Sequence, residues 1–305
     1  MPASNPSKSS RSPRQGVFVG HIGIDLIYLS PEALSSNQKL AALDWAIAAG
    51  GPATNAAVTF AYLGDRPVLV GSLGHHPLTE LARTDLNDRG VILTDLDADR
   101  AEPPPISSIV VNQENGDRSV ISLNAAKSQL SADRCPDTLL DDAAIVLIDG
   151  HQMALSVAVA KTARSRQIPV AIDGGSWKPG FDRVLPFVDY AVCSADFFPP
   201  GCRDRADVFD FLTQFGIANI AITDGPRPIE VLNRGDRHSV NVPSVEAIDT
   251  LGAGDIFHGA FCHFIGDREF REALSGAAEV AARSCQFFGT RSWMSFQRTT
   301  TNIIP

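Results

Sequence analysis

The sequence has no C-x-x-C pair, and its five cysteines, Cys135, Cys193, Cys202, Cys262 and Cys285, are scattered and odd in number. That pattern excludes a disulfide frame and a zinc knuckle and predicts reduced thiols, hence a cytoplasmic protein. No apolar run approaches the roughly 20 residues needed to span a bilayer, so no membrane partner is expected. Basic charge is scarce. Lys and Arg number 26 against 35 Asp and Glu, a net charge of −9, which argues against a surface that coats nucleic acid. Gly-Lys-Ser and Gly-Lys-Thr are absent, and no G-x-G-x-x-G follows the first apolar run. P-loop NTPases and dinucleotide-binding enzymes of the Rossmann type drop out with them.

What is present is a chain of 305 residues, 44 % hydrophobic, enough for one large domain. Residues 1–15, MPASNPSKSSRSPRQ, are rich in Ser and Pro, hold three basic residues and no acid, and lack the apolar core of a secretory signal. They read as a disordered tail, with an organelle transit peptide as the alternative. The domain is expected over 16–295, followed by a C-terminal tail at 296–305.

Between the tails, apolar runs alternate with amphipathic ones. Residues 17–26 read as a buried first strand and its exit, 52–64 as a helix with Pro52 in its first turn, 67–74 as a strand and 77–90 as a helix. The segments 107–113 and 118–124 flank Glu114-Asn115-Gly116-Asp117, an Asn-Gly hairpin signal that breaks the rhythm and predicts a small appended sheet. The rhythm resumes with strands at 143–150, 169–175, 190–194 and 217–225 and helices at 152–167 and 206–215. An antiparallel edge pair is expected at 229–233 and 238–243, and helices at 253–265 and 268–288 close the chain. Near-continuous apolar strands separated by helices imply an α/β fold with a mostly parallel sheet covered on both faces.

The stretch DTLGAGDIFHGAF, 249–261, places Gly252 and Gly254 at the mouth of a helix. Glycines there let the backbone turn tightly and approach a ligand, and the first-turn N–H groups form an anion hole suited to a phosphoryl group. Asp255 shares that turn. An acid beside an anion hole repels a resting phosphate but can take a proton from an attacking hydroxyl. Spacing alone leaves this reading level with ordinary helix capping. A second pair, Gly50-Gly51, leads into the helix that carries Asn55, whose amide suits the hydroxyls of a polyol; a loop needing positive φ explains the same residues.

Together these stretches resemble the ribokinase/PfkB family of carbohydrate kinases. GGPATN resembles its N-terminal di-glycine signature, and DTLGAGDIF matches its C-terminal signature D-T-x-G-A-G-D-x-F at every diagnostic position. The resemblance implies a ribokinase-like three-layer α/β/α core, a small β-sheet lid drawn from about 26–45 and 106–123, and transfer of the ATP γ-phosphate to a sugar hydroxyl. It implies Asp255 as base and Gly252, Ala253 and Gly254 as anion hole. Gly50, Gly51, Asn55 and Asp25 would contact the sugar, and Thr223 and Gly225 would lie near ATP. It implies Mg²⁺, and a candidate K⁺ site at Asp249 with carbonyls near Leu251 and Gly289. A homodimer through the lid is a further expectation.

Two places depart from the family. Its N-x-x-E, which organises Mg²⁺, is here Ser194-Ala195-Asp196-Phe197, and the acid of its G-x-x-G-x-D is His76. A nucleoside kinase of the same family is the alternative. It needs a flat slot for a base, and the chain has only three Tyr and three Trp, of which the lid segments hold Tyr28 and Trp45. A catalytically silent sugar-sensing module is the third reading, against which an intact Asp255 stands. His258 and His263, five apart on a helix, cannot chelate one metal. His151, Asp173 and Lys178 lie beyond strand ends, where His151 is a candidate to face the cleft and Lys178 reads as a solvated loop residue, with contact to an acidic substrate or phosphate as the alternative. Arg118 on the hairpin reads either as a substrate contact or as a cross-strand pair.

Overall fold

The computed structural model describes residues 11–123 and 128–295. In chain order its elements are β1 (Gln15–Val19), β2 (Gly23–Ser30), β3 (Asp44–Gly50), α1 (Pro52–Tyr62), β4 (Arg66–Gly71), α2 (Thr79–Asp88), β5 (Ile92–Asp95), β6 (Ile106–Asn112), β7 (Arg118–Ser122), β8 (Ala143–Ile148), α3 (Met153–Ser165), β9 (Val170–Gly174), β10 (Tyr190–Ser194), α4 (Arg205–Thr213), β11 (Asn219–Asp224), β12 (Arg227–Asn233), β13 (Asp236–Val240), α5 (Ala253–Phe264) and α6 (Phe270–Ser284).

Nine strands form one sheet in the order β13-β12-β11-β10-β9-β8-β1-β4-β5. From β11 to β5 every pair is parallel, and β12 and β13 add an antiparallel edge. Successive strand residues face opposite sides, so an all-apolar strand feeds two cores. Phe18 and Leu147 pack with Phe60, Phe261 and Leu274 on the side of α1, α5 and α6. Val17, Val19, Val146 and Ile148 pack with Leu155, Val159, Phe209 and Leu212 on the side of α3 and α4. This is the three-layer α/β/α core that the sequence implies.

The second sheet runs β3-β2-β6-β7, with β2–β6 parallel and the outer pairs antiparallel. The hairpin signal at Asn115-Gly116 forms its β6–β7 turn. Residues 17–26 are not one strand. β1 ends at Val19, the chain turns, and β2 belongs to the second sheet. That sheet takes 44–50 as β3, while 31–43 is an irregular connection that includes Asn37 at φ 58°. The expected lid segment 26–45 therefore holds most of β2, this connection and only the first residues of β3.

Part of the expected tail is docked. Gln15 begins β1, and Arg11 bonds Asp65 through both terminal nitrogens at 3.0 Å. The Arg14 amide donates to Asp65 at 2.9 Å and His263 Nδ1 lies 2.7 Å from the same carboxylate. Asp65 is buried at the end of α1, so a chain segment that supplies its cations is held there. Residues 1–10 and 296–305 of the expected tails lie outside the described residues, as does Asn124 of the second hairpin strand. No helix among the described residues is long and apolar enough to cross a membrane, and all five cysteines are free thiols.

Candidate active site

Two helix N-termini meet beyond the carboxyl ends of the parallel strands, where open α/β sheets bind ligands. They meet because α1 and α5 cross closely: a Cβ on Gly259 of α5 would collide with the Ala56 carbonyl of α1. Gly51 precedes α1 at φ 117° and Gly252 precedes α5 at φ 70°, backbone that side chains avoid. At Gly51 a Cβ would also strike the His21 carbonyl. The space around Gly254 is open.

Asp255, in the first turn of α5, faces Asn55, in the first turn of α1; Asn55 Nδ2 donates to Asp255 Oδ2 at 2.8 Å. Burial, and then the nearby Asp173 carboxylate, push the Asp255 carboxyl well above the usual carboxylate range, against the Asn55 bond and His258. Asp25 comes from β2 of the small sheet. Burial lifts its pKa to about 6, against a bond from Ser107 and the charge of Arg291. The structure thus brings Asp25, Gly50, Gly51, Asn55, Gly252, Ala253, Gly254 and Asp255 into one region.

Asp249 lies just before this turn. Its carboxylate accepts from Leu251 N and Gly289 N, each at 2.8 Å, so the three residues of the expected cation site are adjacent. Burial raises the Asp249 carboxyl. Arg118 sits opposite Val111 across the hairpin, and its Nη1 bonds Thr250 Oγ1 at 2.9 Å, tying the hairpin to the same turn. Thr223 and Gly225 stand apart. They lie at the end of β11, two strands beyond Asp173 on β9, and Thr223 Oγ1 bonds the Cys193 carbonyl of β10 at 3.3 Å.

At the expected Mg²⁺ pair, Phe197 is 1 % exposed and packs on Trp177 and Phe181, while Ser194 Oγ accepts from the Asp196 amide at 3.2 Å. Those residues do not fit a divalent cation, which takes several oxygens. No cluster of three or more His, Cys, Asp or Glu able to hold a metal occurs among the described residues.

Asp149 and Arg291 escaped the sequence reading, and Asp173 was placed beyond a strand end without a role. Asp149, at the end of β8, accepts from His21 N at 2.9 Å, His151 N at 2.9 Å and Ala53 N in the first turn of α1 at 3.2 Å. It thereby fixes the loops beside the cleft and brings the His21 and His151 rings to 5.3 Å. Asp173, at the end of β9, lies 3.4 Å from His258 Nδ1. Arg291 bonds Asn55 Oδ1 at 2.8 Å. For the two acids a carboxylate ending an apolar strand was a usable signal; Arg291 carried none.

A mostly parallel three-layer core, a separate four-stranded sheet and glycine-led helix mouths define a ribokinase-like fold. A putative ribokinase from Agrobacterium tumefaciens superposes with a TM-score of 0.80 at 24 % identity, over 91 % of this chain and 93 % of that one. A putative ribokinase II from E. coli, in complex with ATP and Mg²⁺, superposes with a TM-score of 0.76 at 18 % identity, over 93 % of this chain and 96 % of that one. Among characterised sequences, a deoxyribokinase from Salmonella typhi is 25 % identical over 292 residues, 90 % of this chain and 93 % of that protein. The model of the pfkB family carbohydrate kinases matches residues 14–296, and the chain belongs to that family. It is a phosphotransferase with an alcohol group as acceptor.

Proposed function

We propose that the chain transfers the γ-phosphate of ATP to a sugar hydroxyl, with Asp255 as general base. The observation that carries this is the Asp255 carboxyl, half-buried, bonded to Asn55 and raised in pKa, in the first turn of a helix whose mouth is open at Gly254. A base with a lifted pKa takes a proton at neutral pH with more driving force than an exposed carboxylate. The sugar oxygen forms its bond to the γ-phosphorus as the bond to the β,γ-bridging oxygen breaks, ADP leaves, and the hydroxyl proton passes to Asp255. Backbone N–H groups at Gly252, Ala253 and Gly254 serve as the anion hole for the phosphoryl group in transit.

Asp25, Asn55, Gly50 and Gly51 form the sugar side, with the four-stranded sheet as lid, and Thr223 and Gly225 the nucleotide side. Magnesium accompanies ATP. Its contacts are not the Ser194 and Phe197 positions, and no step is assigned to it. Asp249, Leu251 and Gly289 suit a K⁺ ion, which would supply positive charge behind the anion-hole turn.

A sugar is favoured over a nucleoside by the alternation of β2. Asp25 and Ile27 share one face, and Tyr28, paired with Trp45, lies on the other. The two lid aromatics therefore offer no slot for a base beside Asp25. With Ile47 and Ile121 they expose an apolar outer face, Trp45 being 63 % and Ile121 78 % exposed, which suits a homodimer through the lid. The cytoplasm, where ATP is supplied, is the fitting compartment. A sensing module has no need of Asp255 at the anion-hole turn.

The test is ATP turnover over pentoses, hexoses, ketose phosphates and nucleosides. Turnover with a free or phosphorylated sugar is expected; turnover confined to nucleosides would overturn the sugar assignment.

A further inference from the structure

Arg291 follows α6 in the C-terminal segment, and its guanidinium, on a side chain 11 % exposed, is aimed at the candidate site. It donates to the Ala49 carbonyl at 2.7 Å, to Asn55 Oδ1 at 2.8 Å, to Thr290 Oγ1 at 3.0 Å and, through Nε, to Asp85 Oδ2 of α2 at 3.1 Å. The same Asp85 oxygen accepts from Ala49 N at 2.9 Å, so the residue before the glycine pair is gripped on both sides.

A guanidinium has donors only. Asn55 must therefore turn its oxygen to Arg291, which leaves its NH₂ facing Asp255, where it donates at 2.8 Å. Without Arg291 nothing in this chain of bonds forbids the amide from turning over, since its terminal torsion has two nearly equivalent settings. Turned over, the amide presents oxygen to Asp255, which a protonated carboxyl tolerates and a carboxylate does not.

We propose that Arg291 is a positioning residue that holds the Asn55 amide in the one orientation that stabilises Asp255 as a carboxylate ready to accept a proton. Its importance for catalysis rests on the reading of Asp255 as base, but the orientation itself does not. Other charged and titratable groups face the pair. Asp173 on β9, His258 on α5 and Asp25 on β2 act on Asp255, while Asp85 on α2 and Asp25 face Arg291. Arg291→Gln leaves all of these in place, and a glutamine can present either oxygen or nitrogen to Asn55.

The experiment follows the ¹³Cγ shift of Asp255 against pH in protein labelled with ¹³C-aspartate, the signal being assigned by its loss in Asp255→Asn. Relative to the native protein, Arg291→Gln should move the midpoint upward by about one pH unit, the scale of one lost hydrogen bond to a charged group. Asn55→Ala should do the same, and Arg291→Gln should add nothing in the Asn55→Ala background. Asp85→Asn, which loosens Arg291 but leaves the donor on Asn55, should lower the melting temperature without moving the midpoint. Should Arg291→Gln not fold, Arg291→Lys, also a donor only, should hold the native midpoint. An unchanged midpoint in folded Arg291→Gln, a shift that persists in the Asn55→Ala background, or a shift in Arg291→Lys as large as in Asn55→Ala would overturn the proposal. The readout requires no turnover, so a failure of Asp255 as base, seen as undiminished kcat in Asp255→Asn, is separable from it.

Discussion

A Cβ on Gly50 would overlap the Asp25 carboxyl, the side chain that β2 carries into the cleft. The last residue of β3 is thus bare so that an acid of the neighbouring strand can sit against it. Gly50→Ala should displace Asp25, costing about 1–3 kcal/mol in stability as overpacking does and raising KM for the sugar. A thermal melt and a pair of saturation curves check both. A variant with native KM would mean that Asp25 has room to move without consequence.

Asp25→Ala removes the partner itself. A substrate hydroxyl left unpaired in a closed cleft costs about 1–3 kcal/mol, so KM for the sugar should rise roughly 5- to 150-fold. KM for ATP should stay within about twofold, because Asp25 lies on the lid sheet and the nucleotide side on β11. A shift in ATP alone would reverse the assignment of the two halves. Asn55→Ala should differ from Asp25→Ala by lowering kcat as well, since Asn55 also holds Asp255.

Asp25 also predicts a pH effect. Its folded pKa of about 6 lies above the ordinary carboxylate value, so the protonated form is favoured by folding, and stability is lost as pH rises through 6. Asp25→Asn is neutral at every pH. At pH 8 it should therefore be more stable than the native protein, by up to about 2–3 kcal/mol for a carboxyl held that far above its ordinary value. Melting curves should show the gap closing towards pH 4. A gap that is constant with pH would show that the carboxyl is not the cause.

The segment before β1 gives the opposite sign. Burial alone would raise the Asp65 carboxyl, but bonds from His263, Arg11 and Arg14 outweigh it and hold it well below the usual range. That stability is present above the unfolded carboxylate pKa, about 3.9, and is lost as pH falls through the lower folded value. Deleting residues 1–10 should leave the melting temperature unchanged at pH 7. Deleting residues 1–14 removes both arginines and should lower it by several degrees, about 1–2 kcal/mol on a chain of this size. Equal melting of the two truncations would show that the arginines hold nothing.

These pairs also mark where the sequence was readable. Eight strands of the nine-stranded sheet were legible, the central ones because they are apolar on both faces and bounded by glycine, proline or a helix start; β5, four residues long and half-exposed, was not. The hairpin β6–β7 was legible from Asn115-Gly116. β3 was not, because Asp44-Trp45-Ala46-Ile47-Ala48-Ala49-Gly50 has small residues on its inner face and reads as helix as easily as strand. At the site, spacing raised the glycines and Asp255 as candidates but left capping open, and the family resemblance singled them out. Asp149 and Asp173 carried only the weaker signal of an acid ending an apolar strand, which does not say which loops it bonds. Arg291 was invisible for a stronger reason: its partners Ala49, Asn55 and Asp85 lie more than 200 positions away, and only the fold brings them together.

The most direct test of the account is kcat for Asp255→Asn, measured with the sugar of highest turnover alongside its ATP affinity and melting temperature. Loss of a positioned base should lower kcat by roughly 10²- to 10⁴-fold. ATP affinity should stay near native, and the melting temperature should not fall, because a carboxyl of raised pKa gives way to a neutral amide. A folded variant that binds ATP and turns over within tenfold of the native rate would contradict the account, leaving Asp255 as no more than the cap of its helix.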